Sequence, residues 1–153
     1  MVTRVLVVDD SAMIRKLLTE LLGADRRIQV VGTANDPYQA RALIKQLQPD
    51  VITLDVEMPR MDGLTFLDHL MRLHPMPVVM VSSLTQQGAD AAIRALQLGA
   101  VEIVAKPTLG IADGLRDAAQ TLCNAVVSAA QARIGPRDRP PPRRVQPLAL
   151  STD

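Results

Sequence analysis

Apolar residues along the chain follow two alternating patterns. Short continuous apolar runs, typical of strands buried on both faces, occur at Val5 to Val8, Ile28 to Thr33, Val51 to Leu54, Val78 to Val81 and Val101 to Val104. Between these runs, apolar residues recur every three or four positions, the spacing of one face of a helix. Two examples are the series Ile14, Leu17, Leu18, Leu21, Leu22 and the series Ala40, Leu43, Ile44, Leu47.

The second pattern predicts five helices. Asp36 followed by Pro37 is a typical start for the second helix, and Gly99 is a typical stop for the fourth. The third helix follows Gly63, the fourth runs from about Ala89 to Leu98, and the fifth begins near Asp113 and reaches as far as Ile134. Strands that alternate with helices predict an α/β fold with a parallel sheet. We expect a flavodoxin-like (βα)5 doubly wound fold with the strand order 2-1-3-4-5.

The last part of the chain has a different composition. Residues 135–153 contain five prolines and four arginines in nineteen positions, with few apolar residues. This composition predicts a disordered linker or tail after one domain at residues 1–134. A linker with no domain behind it suggests that the sequence comes from a longer protein.

Composition argues against a nucleic-acid or membrane partner. The 17 basic and 16 acidic residues nearly balance, and aromatic residues make up 1% of the chain, so base stacking is not expected. The chain has no separate basic and apolar leader and no apolar stretch of bilayer length. The single cysteine, Cys123, suits a reducing compartment. We therefore expect a cytoplasmic protein without membrane insertion.

Carboxylates follow two of the predicted strands. Asp9 and Asp10 end the first strand and Asp55 ends the third, and the carboxyl ends of parallel strands meet at one sheet edge. Three carboxylates would repel one another there unless a cation neutralised them. Mg²⁺, or Mn²⁺ in its place, prefers such oxygen ligands and leaves positions open for phosphate oxygens. A plainer alternative for Asp9 and Asp10 is capping of the first helix.

A hydroxyl and an ammonium group lie at the ends of the fourth and fifth predicted strands. Ser82 ends the fourth strand and Lys106 follows the fifth, although a turn serine and a solvated lysine are ordinary alternatives. Together with the aspartates they form the set needed for phosphoryl transfer onto a carboxylate. His69 and His74 lie five residues apart, which does not place both on one helix face, so we expect exposed histidines rather than a metal site.

These residues, in this order, resemble the receiver domains of two-component response regulators. The likeness covers about residues 3–133 and is strongest in the segments around Asp55 and Ser82 and in the segment that begins at Lys106. There it is similar to the N-terminal regulatory domain of the chemotaxis protein-glutamate methylesterases. The resemblance implies that Asp55 is the phosphoacceptor, that Ser82 and Lys106 contact the phosphoryl group, and that a chemotaxis histidine kinase is the donor. It also implies that Asp9, Asp10, Asp55 and the backbone carbonyl of Glu57 serve Mg²⁺.

The same resemblance bears on output. Such a domain controls a catalytic domain that hydrolyses methyl esters and deamidates glutamines on chemoreceptors, and that domain is missing from this sequence. The chain itself would only accept phosphate and slowly release it. Ile103 departs from the family, because receivers usually carry an aromatic switch residue there.

Two alternatives remain open. One is a free-standing single-domain response regulator that acts by protein docking. The other is an aspartate-nucleophile phosphatase, although such enzymes carry a second aspartate where this chain has Glu57.

Overall fold

The protein forms a five-stranded parallel sheet with helices on both faces. The computed structural model describes residues 2–56, 63–82, 86–107 and 112–132. The strands lie in the order β2-β1-β3-β4-β5, and each neighbouring pair is parallel. The predicted fold class and strand order are therefore confirmed.

Strands and helices alternate along the whole described chain. Their bounds are β1 Thr3–Val8, α1 Ala12–Gly23, β2 Ile28–Ala34, α2 Pro37–Leu47, β3 Val51–Asp55, α3 Gly63–Leu73, β4 Val78–Ser82, α4 Gln86–Leu98, β5 Glu102–Ala105 and α5 Ala112–Ala130. No described helix is both long and apolar enough to cross a bilayer.

Both faces of the sheet carry apolar side chains. Successive residues of a strand point to opposite faces, so a continuous apolar run supplies apolar side chains to both. Alternate residues such as Leu6 and Ile52 pack with buried residues of α2, α3 and α4. Their neighbours Val5 and Val51 pack with buried residues of α1 and α5. The two clusters explain why the strands read as continuous apolar runs.

Helix ends follow the local signals in the sequence. The Asp36 side chain caps α2 by accepting from the Gln39 amide, and Pro37 is the first helical residue. Gly99 follows α4 with a φ of 122°, a left-handed conformation that favours glycine. Both predicted signals are confirmed.

Several predicted bounds are shifted by a few residues. β5 runs from Glu102 to Ala105, one residue later than predicted, and α4 begins at Gln86 rather than near Ala89. Glutamines at the start of α4 gave no apolar signal, which is why the pattern placed the helix too late. The predicted boundary between residues 134 and 135 lies outside the described residues. α5 ends at Ala130, and the next two residues are a turn and a bend, so the predicted extension of the fifth helix towards Ile134 is wrong.

Candidate functional site

The parallel register brings the predicted site residues to one edge of the sheet. Val8 of β1 pairs with Leu54 of β3, so Asp9 follows β1 at the level of Asp55. Asp55 in turn pairs with Val81, the neighbour of Ser82. Ser82 pairs with Ala105, the neighbour of Lys106. The four positions therefore lie on adjacent strands at their carboxyl ends.

Three carboxylates form a compact acidic cluster at this edge. Each of Asp9, Asp10 and Asp55 has a carboxylate oxygen within 4.8 Å of an oxygen of the other two. Asp9 is 0% exposed and Asp55 is 1% exposed, whereas Asp10 is open to solvent. Two carboxylates of the cluster, those of Asp9 and Asp55, are therefore buried, and the third, that of Asp10, is accessible from solvent.

Asp9 is held by the start of α1. Its Oδ1 accepts a hydrogen bond from the Ser11 amide at 2.9 Å, and its backbone carbonyl accepts one from the Arg15 guanidinium at 2.7 Å. Burial raises the pKa of the Asp9 carboxyl above its ordinary value of 3.8, and the nearby Asp10 charge adds to this rise. The Ser11 amide, Lys106 and Arg15 oppose it.

Lys106 supplies the positive charge of the site. Its Nζ lies 3.1 Å from the Asp55 Oδ1, and its backbone amide donates to the Ser82 carbonyl at 2.8 Å. That backbone bond joins the end of β5 to the end of β4 and fixes where the lysine side chain begins. Ser82 itself is 4% exposed. The site thus combines an ion pair with a nearby buried serine.

The cluster fits a divalent cation. The Asp9 Oδ2 is buried and has no hydrogen-bond partner among the residues that the structure describes. A buried carboxylate oxygen without a partner is costly, and a bound cation removes that cost. Three carboxylates and one ammonium leave two negative charges, which match a hard divalent ion with oxygen ligands. Glu57, whose carbonyl was predicted as a further ligand, lies outside the described residues.

The plainer alternative for the aspartates is wrong, because Ser11 caps α1. The Ser11 side chain accepts from the Ile14 amide at 3.3 Å, which leaves Asp9 and Asp10 free of that role.

The prediction of exposed histidines is confirmed for His74, whereas His69 is half-buried on α3. His69 and His74 border the same groove between α2 and α3. Helical spacing does not apply to this pair, because His74 follows the last residue of α3. Among the described residues, the acidic cluster is the sole group of three or more residues arranged to hold a metal.

Sequence reasoning missed the structural roles of three residues near the site. Arg15 anchors the β1–α1 connection, but a basic residue in a first helical turn has no distinctive signal. Gly63 begins α3 so close to β3 that a Cβ there would meet the backbone carbonyl oxygens of Asp55 and Val56. Thr53 places an unpartnered, fully buried hydroxyl in the described core, two residues before Asp55. Only Gly63 gave a signal in the sequence, which placed it before the third helix, but its close approach to β3 was not predicted.

The profile of the response regulator receiver domain matches residues 5–118 of the chain. The chain is also 59% identical over 131 residues to a protein-glutamate methylesterase/protein-glutamine glutaminase 2 of Cupriavidus pinatubonensis. That match covers 86% of this chain but 37% of the relative, so the chain spans less than two fifths of it.

Solved structures agree with the sequence comparison. The response regulator domain of Thermotoga maritima CheB is 41% identical with a TM-score of 0.76, and the match covers 87% of this chain and 99% of that one. A chain of the CheX-CheY-BeF3-Mg²⁺ complex of Borrelia burgdorferi is 32% identical with a TM-score of 0.66, over 82% and 87% of the two chains.

Proposed function

The chain belongs to the response regulator receiver family, and from that premise we propose that it is a phosphorylation switch with Asp55 as phosphoacceptor. Asp55 ends a central strand, as part of the acidic cluster, with its carboxylate at the carboxyl edge of the sheet. The single observation that carries the proposal is the 3.1 Å contact between this carboxylate and the Lys106 ammonium. A compact positive charge so close to a nucleophilic oxygen favours the arrival of a phosphoryl group.

The proposed reaction is transfer from a phosphohistidine of a chemotaxis histidine kinase. An Asp55 carboxylate oxygen forms a bond to phosphorus while the bond between phosphorus and the histidine nitrogen breaks. The electron pair of that bond returns to the imidazole nitrogen, which takes up a proton. Lys106 and Ser82 then contact the phosphoryl oxygens, Lys106 as a charge and Ser82 as a hydroxyl donor.

Mg²⁺ fits the proposed site, and Mn²⁺ has the same preference for oxygen. Asp9, Asp10, Asp55 and the backbone carbonyl of Glu57 would hold the ion directly or through water. The ion would neutralise charge on the transferring phosphoryl group. The similar chain from Borrelia burgdorferi was solved in a complex that contains BeF3 and Mg²⁺, which supports the proposal of a metal site in this chain.

The output of the switch is proposed from the relatives. The matched proteins are protein-glutamate methylesterases, and this chain corresponds to a part of them. We therefore propose that the domain controls a methylesterase and glutaminase domain in a longer protein, and through it the chemoreceptors. The family placement also favours a cytoplasmic location next to the kinase.

Phosphotransfer from a purified, radiolabelled chemotaxis kinase tests the proposal. The wild-type chain should take up label when Mg²⁺ is present, whereas Asp55→Asn should not, because an amide cannot act as the attacking carboxylate. Asp25→Asn, which changes an acid at the other end of α1, is the matched control and should be labelled like the wild type. Labelling of Asp55→Asn to the wild-type extent would refute the assignment.

A further inference from the structure

A groove between α2 and α3 lies away from the acidic cluster and has a distinct chemistry. Its volume is about 360 Å³. The floor is apolar, formed by buried residues of both helices, and the rim carries basic side chains and an exposed leucine. The lining residues are Arg41, Ile44, Lys45, Phe66, His69, Leu70, Leu73 and His74.

Basic side chains border the groove, and none of its described lining residues is acidic. Arg41 and Lys45 lie one helical turn apart on α2, and both are exposed. No acidic side chain lines the groove, and no salt bridge of Arg41 or Lys45 occurs within the described part of the chain. The one acid on α3, Asp68, pairs with Arg72 at 3.1 Å. The groove therefore presents uncompensated positive charge beside an apolar floor.

An exposed apolar side chain, Leu73, lies at the rim of the groove. It is 76% exposed at the end of α3, beside the buried Phe66 and Leu70. A single exposed leucine is ordinary, but here it extends an apolar floor that is itself open to solvent. An apolar side chain entering the groove would contact all three residues.

We propose that this groove docks an acidic amphipathic helix of a partner protein. An apolar anchor of that helix enters between Ile44 and Phe66, and its flanking carboxylates meet Arg41 and Lys45. Anchors at i and i+3 or i+4, with acids one turn apart, match the spacing of the two cations on α2.

Other occupants fit less well. The chain's own segment 135–153 carries four arginines and would be repelled. A second copy is unsuited, because none of the described helices has more than two acidic residues. A membrane surface is too flat to fill a groove, and two Lys/Arg residues fall short of the roughly four to eight that bind anionic lipid.

A labelled model peptide tests the proposal in the full chain. The probe is a helical peptide of Glu with Leu at i, i+3, i+4 and i+7, and its binding is followed by fluorescence anisotropy. One control peptide replaces Leu with Gln, and another replaces Glu with Lys. Only the parent peptide should bind well, with each control at least about tenfold weaker because it lacks one of the two complementary features.

Matched variants locate the site. Arg41→Glu combined with Lys45→Glu should weaken binding at least about tenfold, and Leu73→Ser about threefold. Arg116→Glu makes the same kind of charge change on α5, across the sheet, and should alter binding less than about twofold. All these positions are exposed, so the variants should keep their fold, which circular dichroism would verify.

Several outcomes would overturn the proposal. They are no binding of the parent peptide, equal binding of the Gln-substituted peptide, and an equal loss in Arg116→Glu. Displacement of the peptide by vesicles of phosphatidylcholine and phosphatidylserine would identify a membrane surface instead.

Discussion

At the scale of single residues, the site is governed by the burial of Asp9. A fully buried carboxylate is unfavourable without a compensating charge, and the Ser11 amide, Lys106 and Arg15 only partly offset this cost. The buried carboxylate of Asp9 therefore does not stabilise the fold, and its position is better explained by the binding of a ligand. Its cost is the kind of local penalty that functional sites carry.

The buried hydroxyl of Thr53 is a second polar group whose burial should cost folding free energy. Its hydroxyl is buried in the described core without a hydrogen-bond partner. Thr53→Val keeps the shape and removes the polar atom, so the free energy of unfolding should rise by about 1 kcal/mol. Urea denaturation measures this, with the exposed Thr33→Val as a control expected within about 0.5 kcal/mol of wild type. A destabilised Thr53→Val protein would mean that the hydroxyl has a partner in solution.

Cys123 should be chemically inert in the folded protein. Burial raises the pKa of its thiol from 9.0 to about 11, with the Asp25 charge adding to the rise. At pH 8 the reactive thiolate is then about 100-fold scarcer than for an ordinary cysteine. Iodoacetamide should modify the folded chain at least about 100-fold more slowly than the urea-unfolded chain. Equal rates of modification in the folded and unfolded chains would show that the packing of α5 against α1, which buries Cys123, opens readily.

At the scale of helices and strands, the sequence predicts which elements are present better than it predicts the residues at which they begin and end. All five strands and five helices were predicted from apolar spacing, because a doubly covered sheet leaves a strong signal in each strand. The start of α4 was predicted too late, since its first residues are polar and give no apolar signal. The close approach of α3 to β3 was also invisible, because it depends on contacts between segments.

Gly63 tests that close approach. A methyl group in Gly63→Ala would press on the carbonyl oxygens of Asp55 and Val56, so the variant should lose more than about 2 kcal/mol of unfolding free energy. The matched control is Gly23→Ala at the end of α1, where a Cβ meets nothing within 4 Å. That change should be neutral or stabilise by up to about 1 kcal/mol, as thermal or urea unfolding would measure. Similar losses in both variants would contradict the described contact.

Ile103 lies on β5 at the position where receiver domains usually carry an aromatic switch residue. It is half-buried on β5 and packs against the cluster shared by α2, α3 and α4. A β-branched side chain without a polar group is stiff and cannot act as a rotating aromatic switch. We therefore expect the signal to pass through Ser82 and the segment that follows it.

At the scale of the whole molecule, the family resemblance is confirmed and the signalling chemistry remains a proposal. The strand order could be predicted because alternating strands and helices allow few right-handed arrangements. In that order, Asp9, Asp55, Ser82 and Lys106 follow adjacent strands at one edge of the sheet, so the sequence was enough to predict that they lie together. The contacts of Arg15 and the unpartnered hydroxyl of Thr53 could not be predicted, since they depend on side-chain packing.

The intact mass of the chain after treatment with a small phosphodonor tests the central claim most directly. In Mg²⁺ the wild-type chain should gain the mass of one phosphoryl group, and in a chelator it should gain little, because the carboxylates then lack the compensating cation. Peptide mapping should place the group on Asp55, and Asp55→Asn should stay at its original mass. Full modification of Asp55→Asn, or of the wild type in the chelator, would contradict Asp55 as a metal-dependent phosphoacceptor.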